Sequence, residues 1–360
     1  MRPVLFVTNH APAYRVPAFA RLHEREDVEY ALIGGDVRHG GGGTAPAADT
    51  LPARHLSERD VFALAASGRH RAVVAGISGR VALPAAYLGA RRARVPFLLW
   101  ATLWAHPRTA VHALSYLPLR HVYRHADAIV TYGPHVSAYV RAKGARGPVL
   151  EAAQAVDGPF WGETTSAPDR RAPFQALFVG RLEREKGVPV LTDAWRRSGL
   201  GAPHATLVLA GGGRLEPGAA VPGTQAAGPL AAPQVRNLYA GSDVLVLPSI
   251  PRPDFLEPWG LVVNEAMHQG LPVIATDAVG AAAGGLVEHG RTGLVVPAGD
   301  AAALAAALRR LYEEPGLRDR LGAAARERVA AYSFDAWADG MVRGLAAVGA
   351  ARSAEGALLA

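Results

Sequence analysis

The sequence predicts an α/β protein built from two doubly wound parallel sheets. Three observations carry that prediction. Short apolar runs of the buried-strand kind alternate with amphipathic helical segments, the pattern of βα units whose helices cover both faces of a parallel sheet. The alternation stops at 157–173, a stretch rich in Pro, Thr and charge, and restarts at Ala176. The length agrees, because 360 residues make two domains of ordinary size and 50% hydrophobic residues suffice for two cores.

The elements follow in order. Val4 to Thr8 reads as a buried strand, Asn9 to Arg15 as a loop, and Val16 to Arg25 as an amphipathic helix. Tyr30 to Gly34 is a second strand. His39 to Asp49, rich in Gly, Ala and Pro, is expected to be a mobile loop. Glu58 to Arg69 reads as a helix, Ala72 to Ile77 as a strand, and Val81 to Arg94 as a helix. That helix ends on Arg91, Arg92 and Arg94, where cations suit the dipole. Pro96 to Ala101 and Ala128 to Tyr132 are strands, with helices at Val111 to His125 and Val136 to Lys143. After the expected linker, Asp157 to Pro173, come strand Ala176 to Val179, helix Val188 to Arg197 and strand Ala205 to Ala210. Residues 213–233 show no clear strand pattern. Val235 to Ala240 is a short helix, Val244 to Leu247 a strand, Leu261 to His268 a helix and Val273 to Ala275 a strand. Three alanine-rich helices, Ala301 to Glu313, Gly316 to Ala331 and Phe334 to Val348, close the chain.

Composition excludes several classes. No apolar run reaches the ~18 residues that a membrane span requires. The N-terminal apolar run is too short for a signal peptide and leads straight into a strand. There is no cysteine, hence no disulfide and no thiolate metal site. The expected location is cytoplasmic. The net charge of +7 is uneven. Residues 1–165 hold 19 Lys/Arg against 12 Asp/Glu, and residues 166–360 hold 19 against 19. A basic face on the first half can attract nucleic acid, anionic lipid or a phosphorylated substrate; the plain alternative is an arginine-rich, solvated surface. A peripheral contact with an anionic membrane surface is therefore expected, and no nucleic acid partner.

The chemistry concentrates in residues 247–299. Pro248 ends a strand, a proline-rich loop follows from Pro251 to Pro258, and Gly260 opens a helix. Glu257 lies in the loop and Glu265 in the helix. The free amides of a helix start hold anions, so the stretch suits a polyol carrying a phosphate. Upstream, Gly180 and Arg181 follow a strand and precede a helix, where open parallel sheets bind ligands. Arg181 offers a planar fork to phosphate oxygens and Lys186 a compact ammonium. The alternative is two surface cations neutralised by Glu183 and Glu185. No D-x-D pair, no histidine–carboxylate cluster with metal-ligand spacing and no G-x-S-x-G elbow occurs. No metal and no cofactor are expected.

Glu257-Pro-Trp-Gly-Leu…Glu265-Ala-Met, with seven residues between the glutamates, resembles the E-x7-E motif of the family-4 retaining glycosyltransferases. Leu247-Pro-Ser249, Gly270-Leu-Pro272, Gly290-Arg-Thr-Gly293 and Phe178-Val-Gly-Arg181 through Lys186-Gly187 fit the same pattern. The resemblance is specific over residues 175–300 and loose before them. It implies the GT-B fold: two Rossmann-like domains facing a cleft, 1–165 for the acceptor and 166–334 for the nucleotide sugar. It also implies a last segment, 335–360, whose helix packs back on the first domain.

The resemblance further implies roles. Arg181 and Lys186 hold the diphosphate. Glu257 bonds the donor sugar's hydroxyls. The backbone of Trp259, Gly260, Leu261 and Val262 meets the phosphates, and Glu265 the ribose. The alternatives are a packed aromatic for Trp259 and an exposed helix carboxylate for Glu265. Gly211-Gly-Gly213 resembles the family's glycine turn, and Gly228-Pro-Leu230 a loop cradling the base. His106 matches the region that supplies a histidine near the reacting sugar, with His10, His112 and His135 as competitors. The loop after the first strand lacks the family's Gly-Gly, so His10, Tyr14 and Arg15 are expected to read the acceptor instead.

The expected activity is metal-independent, retaining transfer from a nucleotide-diphosphate sugar to a glycan, lipid-linked or small-molecule acceptor, as in polysaccharide biosynthesis. The rivals are a nucleotide-sugar epimerase on the same fold and a non-catalytic nucleotide-sugar-binding protein. A dinucleotide oxidoreductase is disfavoured, because no glycine fingerprint follows Val4 to Thr8.

Overall fold

The computed structural model describes residues 1–34, 51–77, 79, 81–165, 169–215 and 221–352. The loop expected at His39 to Asp49 lies outside the described residues. The chain forms two compact units, residues 1–154 with 334–360, and residues 155–333.

The first unit is built on seven strands: β1 (Val4–Thr8), β2 (Val28–Leu32), β3 (Ala53–His55), β4 (Ala72–Gly76), β5 (Phe97–Ala101), β6 (Ala128–Thr131) and β7 (Val149–Glu151). Their order is β3-β2-β1-β4-β5-β6-β7, and every pairing is parallel. All five residues of β1 are buried, because helices cover both faces of the sheet. Those helices include α1 (Val16–Glu26), α2 (Val61–Ala66), α3 (Ala82–Ala93), α4 (Ala110–His125) and α5 (Pro134–Ala142). Phe6, Phe19, Tyr30 and Trp100 form an aromatic cluster, in which the Phe19 and Tyr30 rings stack 4.7 Å apart.

The second unit begins with α6 (Gly158–Gly162). It carries six strands: β8 (Phe174–Val179), β9 (Ala205–Ala210), β10 (Thr224–Gly228), β11 (Val244–Leu247), β12 (Val273–Thr276) and β13 (Gly293–Val296). The order is β10-β9-β8-β11-β12-β13, again all parallel. Its helices continue with α7 (Val188–Ser198), α8 (Ala232–Ala240), α9 (Leu261–His268), α10 (Gly280–Ala283), α11 (Ala301–Glu313) and α12 (Pro315–Val329). The strand order reverses between β1 and β4 in one unit and between β8 and β11 in the other. Such a switch point opens a crevice at the carboxyl ends of the strands, where ligands bind.

The last helix, α13 (Phe334–Ala346), is part of the first unit and packs on α1, β6 and β7. Trp337 meets Phe19 and Trp100, with ring centres 5.7 and 6.0 Å away. Arg25 of α1 pairs with Asp335 at 2.8 Å and with Asp339.

Three expectations need correction. The division falls at Gln154/Ala155, not at 165/166. Residues 157–173 are not all linker, because the Asp157 carboxylate accepts from the Phe160 amide at 3.0 Å and caps α6. Gln269 donates to the Trp161 carbonyl and Arg236 to that of Phe160, which ties α6 to the second unit. The helix expected at Glu58 to Arg69 shrinks to Val61–Ala66. Glu58 instead accepts from the amides of Val81 at 2.6 Å and Ala82 at 3.0 Å, at the start of α3.

Candidate active site

In the second unit the loops after β8 and β11 leave neighbouring strands at the switch point. The first carries Gly180, Arg181 and Lys186, the second Ser249 and Glu257. The two loops are locked together at Gly187, which has φ 72° and whose Cβ, if present, would strike the Pro248 carbonyl oxygen. Only glycine fits there. The Ile250 amide adds a bond to the Glu185 carbonyl at 2.9 Å.

This seating pairs Lys186 Nζ with Glu257 Oε2, across 71 residues of sequence. The same carboxylate oxygen accepts from Ser249 Oγ at 2.9 Å. Ser249 is fully buried, and its carbonyl takes a bond from Thr276 Oγ1 at 2.5 Å. Glu257 is only 6% exposed, and the Lys186 ammonium also lies 5.3 Å from the centre of the Phe255 ring. Lys186 is therefore partnered by Glu257, not by Glu183 or Glu185. Arg181 does pair with Glu185, at 2.9 Å, but its side chain stays largely in solvent. That surface pair contributes little and yields readily to a stronger anion.

Helix α9 begins just beyond Glu257. Gly260 precedes it at φ 94°, and a Cβ there would lie 2.6 Å from Leu247 Cδ2. The amides of Leu261 and Val262 head the helix, where no intrahelical acceptor exists. The Trp259 side chain takes no part: it is buried at 2% exposure and its indole donates to Asn264 Oδ1 at 2.7 Å. The packed-aromatic reading of that side chain is correct, which leaves Trp259 only its main chain to offer. Glu265, one turn on, accepts from the Tyr239 hydroxyl of α8 at 2.8 Å. Burial pushes this carboxyl up to about 7, and the Tyr239 bond opposes the shift. The glycine turn 211–213 and the loop Gly228 to Leu230 come together at the ends of β9 and β10, with the Gly211 amide bonded to the Gly228 carbonyl at 2.8 Å.

In the first unit the loop after β1 also sits at a switch point. Tyr14 is 41% exposed and His10 half-buried. Arg15 is 8% exposed. It donates to Gln154 Oε1 at 2.5 Å, and its guanidinium lies 5.1 Å from the Trp100 ring centre and 5.8 Å from that of Tyr132. It is thus a caged cation more than a surface reader. His106 follows β5. Its Nε2 donates to the His112 carbonyl at 2.7 Å, and its ring lies 5.1 Å from that of Tyr116.

Sequence reading missed Ser249, Tyr239, Asn264 and Gln154 as partners. Ser249 had a signal in its place one residue beyond the proline that ends β11. Tyr239 and Gln154 had none, since each reaches its partner only through tertiary packing.

Comparison with known proteins bears on this arrangement. Residues 173–314 match the family model described as Glycosyl transferases group 1. Over that span, less than half of the chain, the sequence is similar to the group-1 glycosyltransferases. It is 33% identical over 182 residues to a glycogen synthase of Mycobacterium tuberculosis, a match covering 48% of this chain and 42% of the relative. It is 34% identical over 167 residues to a D-inositol 3-phosphate glycosyltransferase of Pseudarthrobacter chlorophenolicus, covering 43% of this chain and 38% of the relative. The matches thus span less than half the length of these relatives. Among solved structures, Anabaena HepE in complex with UDP-glucose aligns with a TM-score of 0.72 at 18% identity, covering 96% of this chain and 100% of that one. Sucrose-phosphate synthase from Thermosynechococcus elongatus aligns at 0.70 and 19% identity, covering 95% and 98%. The fold is that of the GT-B glycosyltransferases: two Rossmann-like units with parallel sheets.

Proposed function

We propose that this protein is a metal-independent, retaining glycosyltransferase of the family-4 type, moving a sugar from a nucleoside-diphosphate sugar to a glycan, lipid-linked or small-molecule acceptor. The observation that carries the reading is the part-buried Lys186–Glu257 pair at the switch point of the second unit, beside the amides that head α9. A cation and a helix start together suit a diphosphate, and a carboxylate held by Ser249 suits sugar hydroxyls. The E-x7-E reading assigns Glu257 to the sugar and Glu265 to the ribose. The names of the relatives support a glycosyl transfer, and HepE has been captured with UDP and with UDP-glucose.

In the proposed step the acceptor oxygen bonds to the anomeric carbon on the face from which the diphosphate leaves. The bond from that carbon to the phosphate oxygen breaks, and the departing oxygen takes the acceptor's proton. Charge grows on the diphosphate, where Arg181, Lys186 and the Leu261 and Val262 amides stabilise it. Lys186 is the member that must loosen its hold on Glu257 as the phosphate arrives. The acceptor is assigned to the first unit, through His10, Tyr14 and the cage around Arg15. The sequence shows no D-x-D pair to bridge a metal to the diphosphate, so the cations carry that charge.

The test is release of nucleoside diphosphate with and without acceptor, in excess EDTA. The reading expects release that needs acceptor and persists under chelation. It expects a loss of roughly two to three orders of magnitude in Arg181→Ala and in Lys186→Ala, as for a lost preorganised donor. Release that vanishes with EDTA and returns with manganese refutes metal independence. Activity within a few fold of wild type in both variants refutes the site.

A further inference from the structure

A hollow of about 680 Å³ lies wholly within the first unit. The loop after β5 forms one wall, with Trp104, His106 and Arg108, and helices α4 and α5 form the others, with Tyr116, Tyr139 and Lys143. Among the described residues no carboxylate lines it. The half-buried Lys143 ammonium lies 5.2 Å from the ring centres of both Tyr116 and Tyr139, and 3.4 Å from the Tyr116 hydroxyl. Among the described residues neither Lys143 nor Arg108 has an ion-pair partner. His106 Nε2 is spent on the His112 carbonyl, while its Nδ1 is buried with no hydrogen-bond partner. Burial pushes the Tyr139 hydroxyl up to about 12, so it stays a neutral donor.

We propose that this hollow is a binding site for a phosphate monoester carried on a flat or apolar group. Two cations without a counter-charge match the charge of about −1.5 to −2 that a monoester bears near neutral pH. Lys143 and the tyrosine hydroxyl supply donors to phosphate oxygens. The faces of Trp104, Tyr116 and Tyr139 receive the organic part. A soluble phosphate ester and a lipid headgroup share this chemistry, and exposed Leu114 and Leu117 on α4, 83% and 69% exposed, lie on the same helix that supplies Tyr116. A lysine that ends a helix also satisfies the dipole. Affinity for the ester is what separates a binding site from that role.

The experiment titrates phenyl phosphate, inorganic phosphate and neutral phenol into the full chain by calorimetry. A second arm sediments the protein with phosphatidylcholine vesicles that do or do not contain phosphatidic acid. The variants are Lys143→Gln, Arg108→Gln and the double; Lys143→Arg tests rescue, and melting temperatures check folding. We expect saturable binding of phenyl phosphate, weaker binding of inorganic phosphate and none of phenol. The Lys143→Gln change weakens binding by about tenfold or more, as the loss of one charge-assisted bond does, and Lys143→Arg restores most of it. Vesicle binding that requires phosphatidic acid and fails in the double variant identifies a lipid-borne phosphate. Soluble binding alone identifies a free ester. Absence of saturable phenyl phosphate binding, or binding unchanged in the folded double variant, overturns the proposal.

Discussion

Glu265 is held at a pKa of about 7 by burial, against an ordinary value of 4.5, with the Tyr239 hydroxyl pulling the other way. Between 4.5 and about 7 the folded chain binds this proton and the unfolded chain does not. Stability therefore falls as pH rises across that window and levels off above it. Ribose hydroxyls, in contrast, bond best to the ionised carboxylate. Affinity for a nucleotide sugar, whose diphosphate diester has no group titrating near 7, is expected to rise from pH 6 to 8 and then flatten. Glu265→Gln is expected to flatten the profile and to lessen the fall in melting temperature between pH 5 and 7. An unchanged pH profile of affinity in that variant removes Glu265 from the donor site. Lys186 and Glu257 pair with each other. Their pairing compensates the buried Glu257 carboxylate and the part-buried Lys186 ammonium, and removing one member leaves the other uncompensated, at a cost of up to about 3–5 kcal/mol, the range for fully buried pairs. Activity of Lys186→Ala is therefore to be read beside its melting temperature, whereas exposed Arg181 gives a cleaner substitution.

Helix α13 completes the core of the first unit, although 179 residues of the second unit, 155–333, separate it from β7 and its loop. Trp337 is 1% exposed and fills the space against Phe19 and Trp100. Trp337→Ala is expected to cost roughly 3–5 kcal/mol, the range for removing a large buried aromatic. Denaturant unfolding measures it, and a loss below about 1 kcal/mol contradicts the assigned packing. The elements that sequence made legible are those with continuous apolar runs, such as β1, β9 and β11, where burial on both faces leaves no other composition possible. Strands β3 and β10 escaped notice because each is an edge strand of its sheet with partly exposed residues, Ala53-Arg-His55 and Thr224-Gln-Ala-Ala-Gly228. β7, Val149-Leu-Glu151, is an edge strand of the same kind. Helix α6 was hidden by its composition, since Gly, Pro and Trp read as a breaker and an anchor, not as a helix. In the site, the spacing of Glu257 and Glu265 was legible, because one loop and one helix turn fix it locally. The Lys186–Glu257 pairing was not, because it depends on β8 and β11 being neighbours in the sheet.

For the whole molecule, the surplus of positive charge in residues 1–165 is partly spent inside the fold. Arg71 pairs with Glu26, Arg54 with Glu29 at 2.6 Å, and Arg91 with Asp127 at 3.1 Å. Among the described residues Arg92, Arg94, Arg108 and Arg120 are exposed and have no acidic partner. We propose that these four, at about 1 kcal/mol for each cation near an anionic surface, give a reversible contact; no described helix is long and apolar enough to cross a membrane. Co-sedimentation with vesicles containing anionic lipid is expected to weaken as salt rises. Equal binding to neutral and anionic vesicles contradicts that contact. The proposed function requires that the second unit hold a nucleoside diphosphate at the β8–β11 switch point. Calorimetric titration of UDP, GDP and ADP into the full chain tests it most directly. We predict that at least one of the three binds saturably, and that Arg181→Ala and Lys186→Ala each weaken it by about tenfold or more, the loss of one charge-assisted contact. No binding of any of the three to the wild-type chain, or full affinity retained in both folded variants, contradicts the account.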